Sequence, residues 1–198
     1  MRPIIILIAF FLVLNAYSAY SQSTFTAQYA INFPLGNTAD YIGETSFRGM
    51  SIDYRYFIQP NIAVGVGTGW YTFYEKQDYG TYSSDDGAIS VSGVQYRYIN
   101  SAPILFVADY YFSPEEKFSP FAGLGIGITY NEINTEMGQF YVDTDTWQFS
   151  LAPEVGVRMG AAAGVWGFLS ARYNNSFETS ELDAQSYLTL NVGVMFGR

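Results

Sequence analysis

WQFSLAPEVGVRM, residues 147–159, alternates in kind from one residue to the next. Trp147, Phe149, Leu151, Pro153, Val155, Val157 and Met159 fall on one face of an extended chain, and Gln148, Ser150, Ala152, Glu154, Gly156 and Arg158 on the other. Side chains of a strand point alternately to opposite faces, so this period predicts one long strand with an oily and a polar side. Its length separates two fold classes. Strands of soluble domains usually run about five or six residues, whereas a tilted strand crossing a bilayer needs roughly 9–11.

The same alternation recurs on either side. Reading outward predicts strands over Thr24–Phe33, Arg48–Ile58, Ile62–Tyr74, Tyr96–Phe112, Phe121–Tyr130, Val165–Tyr173 and 187–196, which with the first makes eight. In the fourth, Leu105 and Val107 interrupt the pattern, and Pro103, which has no N–H for a ladder, predicts a bulge. Polar connections follow strands one (PLGNTADYIGETS), three (Glu75–Gly93), five (NEINTEMGQFYVDTDT) and seven (NNSFETSELDA), and short turns follow two, four and six. An antiparallel meander puts those two sets at opposite ends, as in outer-membrane barrels with long extracellular loops and short periplasmic turns. The expected fold is all-β, an eight-stranded antiparallel up-and-down transmembrane β-barrel over residues 22–198 with both termini in the periplasm.

The chain begins MRPIIILIAFFLVLNAYSAYSQS, with one basic residue, an apolar run from Ile4 to Leu14, then small residues. That order marks residues 1–21 as a secretory signal peptide, since the run is short of the ~20 residues a spanning helix needs. Without Arg2, 8 basic residues face 18 acidic ones, a net charge of −10. So acidic a chain does not attract nucleic acid. With no Cys there is neither a disulfide framework nor a thiolate metal site.

YFIQPNIAVGVGTGW, the APILFVADYYFSPEEKFSPFAGLGIGITY hairpin and the final YLTLNVGVMF resemble the small eight-stranded outer-membrane barrels of the OmpA, OmpX and OmpW type. The likeness is greatest to the outer membrane protein beta-barrel domain family common in the Bacteroidetes. The resemblance implies outer-membrane lipid around the barrel and insertion by the barrel-assembly machinery. That machinery reads a Gly followed by spaced hydrophobic residues, here Gly193 and Phe196, although this chain ends Gly197-Arg198 where an aromatic is usual.

The polar faces carry Asp53 and Arg55 on strand two, Asp109 on four, Glu154 and Arg158 on six and Arg172 on seven. Charges withdrawn from water are tolerated when paired, so these six are expected to form a lumen ion-pair network, with Glu154 and Arg158 partnered and Arg55 and Arg172 nearby. Eight strands leave a space that side chains can fill, which favours a plugged barrel with a structural or surface-interaction role. A narrow conduit for small solutes is the alternative.

Catalysis is not expected. The chain has no His, the base or partner of the outer-membrane barrel hydrolases, and the Arg residues near Asp53 and Glu154 would hold those acids ionised. No cofactor is expected: GLGIG at Gly123–Gly127 has a spacing of two and no following helix, unlike a phosphate-binding loop. Asp85-Asp86 and Asp143-Thr144-Asp145 could collect calcium through oxygen ligands, but read more simply as solvated loop charge. A soluble, lipocalin-like barrel with its oily face around a ligand would alternate in the same way. Against it stand the aromatic residues Tyr54, Tyr56, Tyr110, Trp147, Tyr173 and Phe196 near the ends of the apolar faces, placed like membrane girdles.

Overall fold

The computed structural model describes residues 22–83, 90–162 and 164–197. The predicted signal peptide and Asp85-Asp86 lie outside the described residues. The chain forms β1 (Gln22–Leu35), α1 (Gly36–Tyr41), β2 (Ser46–Gln59), β3 (Ile62–Ser83), β4 (Ser90–Tyr111), β5 (Phe118–Met137), β6 (Phe140–Ala162), β7 (Val165–Ser176) and β8 (Gln185–Gly197). Every strand pairs antiparallel with its sequence neighbours, and β1 pairs with β8 from Thr24↔Gly197 to Leu35↔Ser186, closing the barrel. Closure removes the open sheet edges that would otherwise leave backbone groups unpaired in lipid.

The period of two fixes which side faces out. In β6, Trp147, Phe149, Val155 and Met159 are exposed on the outside, while Gln148, Ser150, Ala152, Glu154 and Arg158 are buried inside. Phe25, Met50, Ile52, Val66, Phe106, Ile126 and Val192 continue the apolar outer belt around the other strands. The six predicted girdle aromatics all lie on this outer side. This inside-polar, outside-apolar arrangement overturns the lipocalin-like alternative, which needs the oily face within.

Three features differ from the sequence reading. No bulge occurs at Pro103: β4 pairs with β5 through Ala102↔Tyr130, Pro103↔Thr129 and Ile104↔Ile128 without a shift. On the β3 side the ladder passes from Thr68↔Ile104 to Tyr71↔Ser101 at an unchanged offset. The missing N–H costs one ladder bond but not register, and the Pro103 carbonyl accepts from Thr68 Oγ1 at 2.8 Å. Leu105 and Val107 therefore face inward, both buried.

Second, the connections after strands three and five are largely paired strand. β3 and β4 stay laddered out to Ser83↔Ser90, and β5 and β6 out to Met137↔Phe140, joined by Gly138-Gln139. Gly138 has φ 61°, which the first position of such a two-residue hairpin turn requires. Above the belt both faces of these strands meet water, so the hydrophobic alternation fades while the hydrogen-bond ladder continues. Third, the connection after β1 contains α1. Its Thr38 is buried, donating to Gln185 Oε1 and accepting from the Ser186 N–H, both at 2.9 Å.

Candidate functional site: the filled lumen

The inward side chains stack in layers. At the hairpin end Ala30, Ile42, Tyr71, Phe73, Ile99 and Tyr187 form one apolar cluster, with Tyr187 edge-on to both Tyr71 and Phe73. At the short-turn end Phe57, Ala63, Tyr111, Phe121, Phe168 and Met195 form another. Between them lie a small patch, Leu105, Val107 and Ala152, and the polar groups of the lumen.

Five of the six predicted lumen charges meet in one cluster. Arg55 Nη1 lies 3.1 Å from Asp53 Oδ2, its Nε bonds Asp109, and its Nη2 lies 3.4 Å from Glu154. Arg172 Nη2 contacts the same Glu154 oxygen at 2.8 Å and Asp53 at 3.3 Å. Ser170 Oγ donates to Glu154 Oε1 at 2.5 Å, and Gln28 donates to Asp53. All five charged residues are at most 4% exposed. Charges this buried persist because each acid has a guanidinium partner, with a neutral donor added at Asp53 and Glu154.

Backbone register puts them together. Glu154 and Arg172 are direct cross-strand partners on β6 and β7, and Gly123 of β5 stands between Asp109 on one side and Glu154 on the other. Gly67 is paired with Asp53 in the same way. A methyl group at Gly67 would overlap the Asp53 carboxylate, and one at Gly123 that of Asp109. Glycine at these places makes room for the charge cluster.

Arg158 does not join the network, and its expected pairing with Glu154 is corrected. Four residues along a strand span about 13 Å, so same-face residues at that spacing are far apart, whereas a cross-strand neighbour lies about 5 Å away. Arg158 instead sits at the short-turn end among rings, its Cζ 4.6 Å from the centroids of Tyr111 and Trp166 and 5.2 Å from that of Phe57. Its Nη2 donates to the Pro114 carbonyl at 2.8 Å, tying the β4–β5 turn over the barrel end. Nothing in the sequence singles out Gln28, Ser170 or this aromatic cage. Strand parity alone would have placed them inward, but which ones meet depends on register.

Further polar side chains bond to one another in the lumen. Ser101 donates to Asn131 at 2.5 Å and Asn131 to Gln148 at 2.7 Å; Asn174 donates to Thr189 at 2.9 Å and Thr189 to Asn32 at 2.8 Å. Across the hairpin end Arg97 Nη1 donates to the Tyr41 carbonyl at 3.0 Å and stacks on the Tyr41 ring, while Gly43 N–H reaches Glu75 at 2.7 Å. Burial raises the Tyr41 phenol above its ordinary pKa, leaving it a neutral partner of Thr135. The segment after β1 is thus fastened to β3, β4 and β5.

Asp143 and Asp145 lie on the outer side of the β5–β6 hairpin, opposite Asn134 and Glu132. Among the described residues no three His, Cys, Asp or Glu side chains converge as a metal site would need.

Known proteins share this architecture. Neisserial surface protein A superposes with a TM-score of 0.58 at 17% identity, covering 89% of this chain and 97% of that one. Ail, the attachment invasion locus protein of Yersinia pestis, solved with the heparin analogue sucrose octasulfate, gives 0.54 at 14% identity, covering 90% and 99%. OprG of Pseudomonas aeruginosa gives 0.51 at 10% identity, covering 90% and 96%. At these identities the likeness speaks for the fold alone. No curated protein matches the chain. The sequence matches the outer membrane protein beta-barrel domain profile over residues 4–196, and with the closed eight-stranded barrel and its apolar belt already in view, the chain belongs to that family.

Proposed function

We propose that this outer-membrane barrel is a non-conducting, non-catalytic anchor that carries a stiff, acidic sheet to the cell exterior for surface interaction. The observation that carries this reading is the seal: Arg55, Asp53, Asp109, Glu154 and Arg172 bind across the lumen between two apolar layers. A solute would have to break buried ion pairs to pass, and the acids that could act as bases are already held by guanidinium groups.

The paired extensions of β3–β4 and β5–β6 give the proposed exterior part its stiffness, and Glu132, Glu136, Asp143 and Asp145 give it acidity. The short turns and both chain ends then lie in the periplasm, residues 1–21 act as the export signal, and the assembly machinery inserts the barrel. Single cysteines at Asp143 and Glu116 test this arrangement. An impermeant thiol reagent on intact cells should label the first and not the second; equal labelling, or the reverse, contradicts it.

A further inference from the structure

Seven of the basic side chains are described, and their placement is uneven. Arg55, Arg158 and Arg172 are buried in the lumen, Arg97 turns inward against Tyr41, and Lys117 lies on a short turn. The remaining two, Arg48 and Lys76, are both exposed at the hairpin end, on neighbouring strands β2 and β3. The ion pairs among the described residues all lie in the lumen, so neither has a carboxylate partner there.

Their height on the barrel is set by register. Arg48 precedes Gly49, which pairs with Tyr71, next to the outward Trp70 of the aromatic belt. Where β1–β2 pairing shifts from Ala30↔Gly49 to Asn32↔Ser46, Phe47 and Arg48 of β2 face the single Ile31 of β1, and both are exposed. Arg48 follows the outward alternation of Met50 and Ile52 to the upper rim of the apolar belt, and the bulge re-aims Phe47 outward beside it. Its Cζ lies 5.2 Å from the Tyr74 ring centroid, and Tyr74 packs on Tyr98 and Tyr96. Lys76 is two residues beyond Tyr74 and is paired with Tyr96. The nearest outward acids on β5 are one strand further on: Glu136 opposite Tyr96, and Glu132, which accepts from Asn100 at 3.0 Å.

We propose that Arg48 and Lys76, on the ledge of Tyr74, Tyr96 and Tyr98, bind the phosphate groups of a phosphorylated glycolipid of the outer leaflet. Two cations with no carboxylate partner among the described residues, at the edge of the belt, meet a lipid headgroup at its own depth, with aromatic faces for the sugar and an apolar outer wall below for the acyl chains. The rest of the exterior is acidic and would repel the same anion. Assignment to the outer leaflet rests on the orientation proposed above.

The test uses the refolded full chain in neutral phosphatidylcholine nanodiscs doped with bis-phosphorylated lipid A, or with the same lipid A stripped of phosphate. Retention should favour the phosphorylated form and fall by roughly tenfold or more in Arg48→Gln/Lys76→Gln, while Lys117→Gln retains it like the parent. Equal retention by parent and double variant, or loss in Lys117→Gln alone, overturns the proposal. Displacement by millimolar inorganic phosphate would mark a site for the free anion and overturn the lipid assignment. Because nanodiscs have no cellular sidedness, failure here is distinct from failure of the cysteine labelling.

Discussion

Arg172 of β7 stands directly across the ladder from Glu154 of β6, and its Nη2 donates to Glu154 Oε2 at 2.8 Å and lies 3.3 Å from Asp53 Oδ2. One cation thus holds two acids from different walls of the barrel. Removing it by Arg172→Leu leaves the buried acids Asp53, Glu154 and Asp109 to the single cation Arg55, and should cost about 3–5 kcal/mol of unfolding free energy in lipid vesicles. Adding Glu154→Gln should recover part of that loss. A double variant no more stable than Arg172→Leu would show that the pair is not the reason for the cost.

Arg158 should behave differently. It is caged by Tyr111, Trp166 and Phe57 and tied to Pro114, so Arg158→Met should lose about 1–2 kcal/mol of cation–π attraction. Its coupling to Glu154→Gln in a double-mutant cycle should stay within about 0.5 kcal/mol, as for sites with no shared partner. A larger coupling would place the two side chains in contact.

Gly123→Ala puts a methyl group against the Asp109 carboxylate that Arg55 holds. Overpacking of this kind should cost about 1–3 kcal/mol in the same vesicle assay. At Gly43, where an added methyl group meets its first neighbour at 3.7 Å, the identical change should be near neutral.

Val155 points outward, 59% exposed, between inward Glu154 and Gly156. Val155→Arg should cost about 2–4 kcal/mol in a bilayer, with a smaller loss in detergent that lets the charge reach water. Indifference to the substitution in vesicles would put this strand face outside the hydrocarbon.

How much of this was legible in the sequence follows from what each signal reports. Alternation in residues 147–159 gave strand, face and membrane depth together, because burial in lipid and burial in a polar lumen select opposite side chains. The same signal placed Asp53, Arg55, Asp109, Glu154 and Arg172 inward, yet it carries no information on register. Alternation alone therefore matches Arg158 to its own strand neighbour, whereas register brings it to the rings it meets. Pro103 predicts a bulge only if a missing N–H breaks the register, whereas one unmade bond in a closed ladder is tolerated. The paired extensions beyond Tyr74 and Tyr130 have the sequence character of loops because strands beyond the apolar belt lose their hydrophobic period. Short α1 has too few residues for a helical period to show.

The seal itself is tested most directly by planar-bilayer recording of the refolded protein across a range of voltages. The ion-pair cluster and the two apolar layers predict a flat baseline with no stable openings, and Arg172→Leu, which breaks the cluster, should be the variant that first shows transient ones. Reproducible conductance steps of fixed size from the unaltered protein would contradict a filled lumen and make the barrel a conduit.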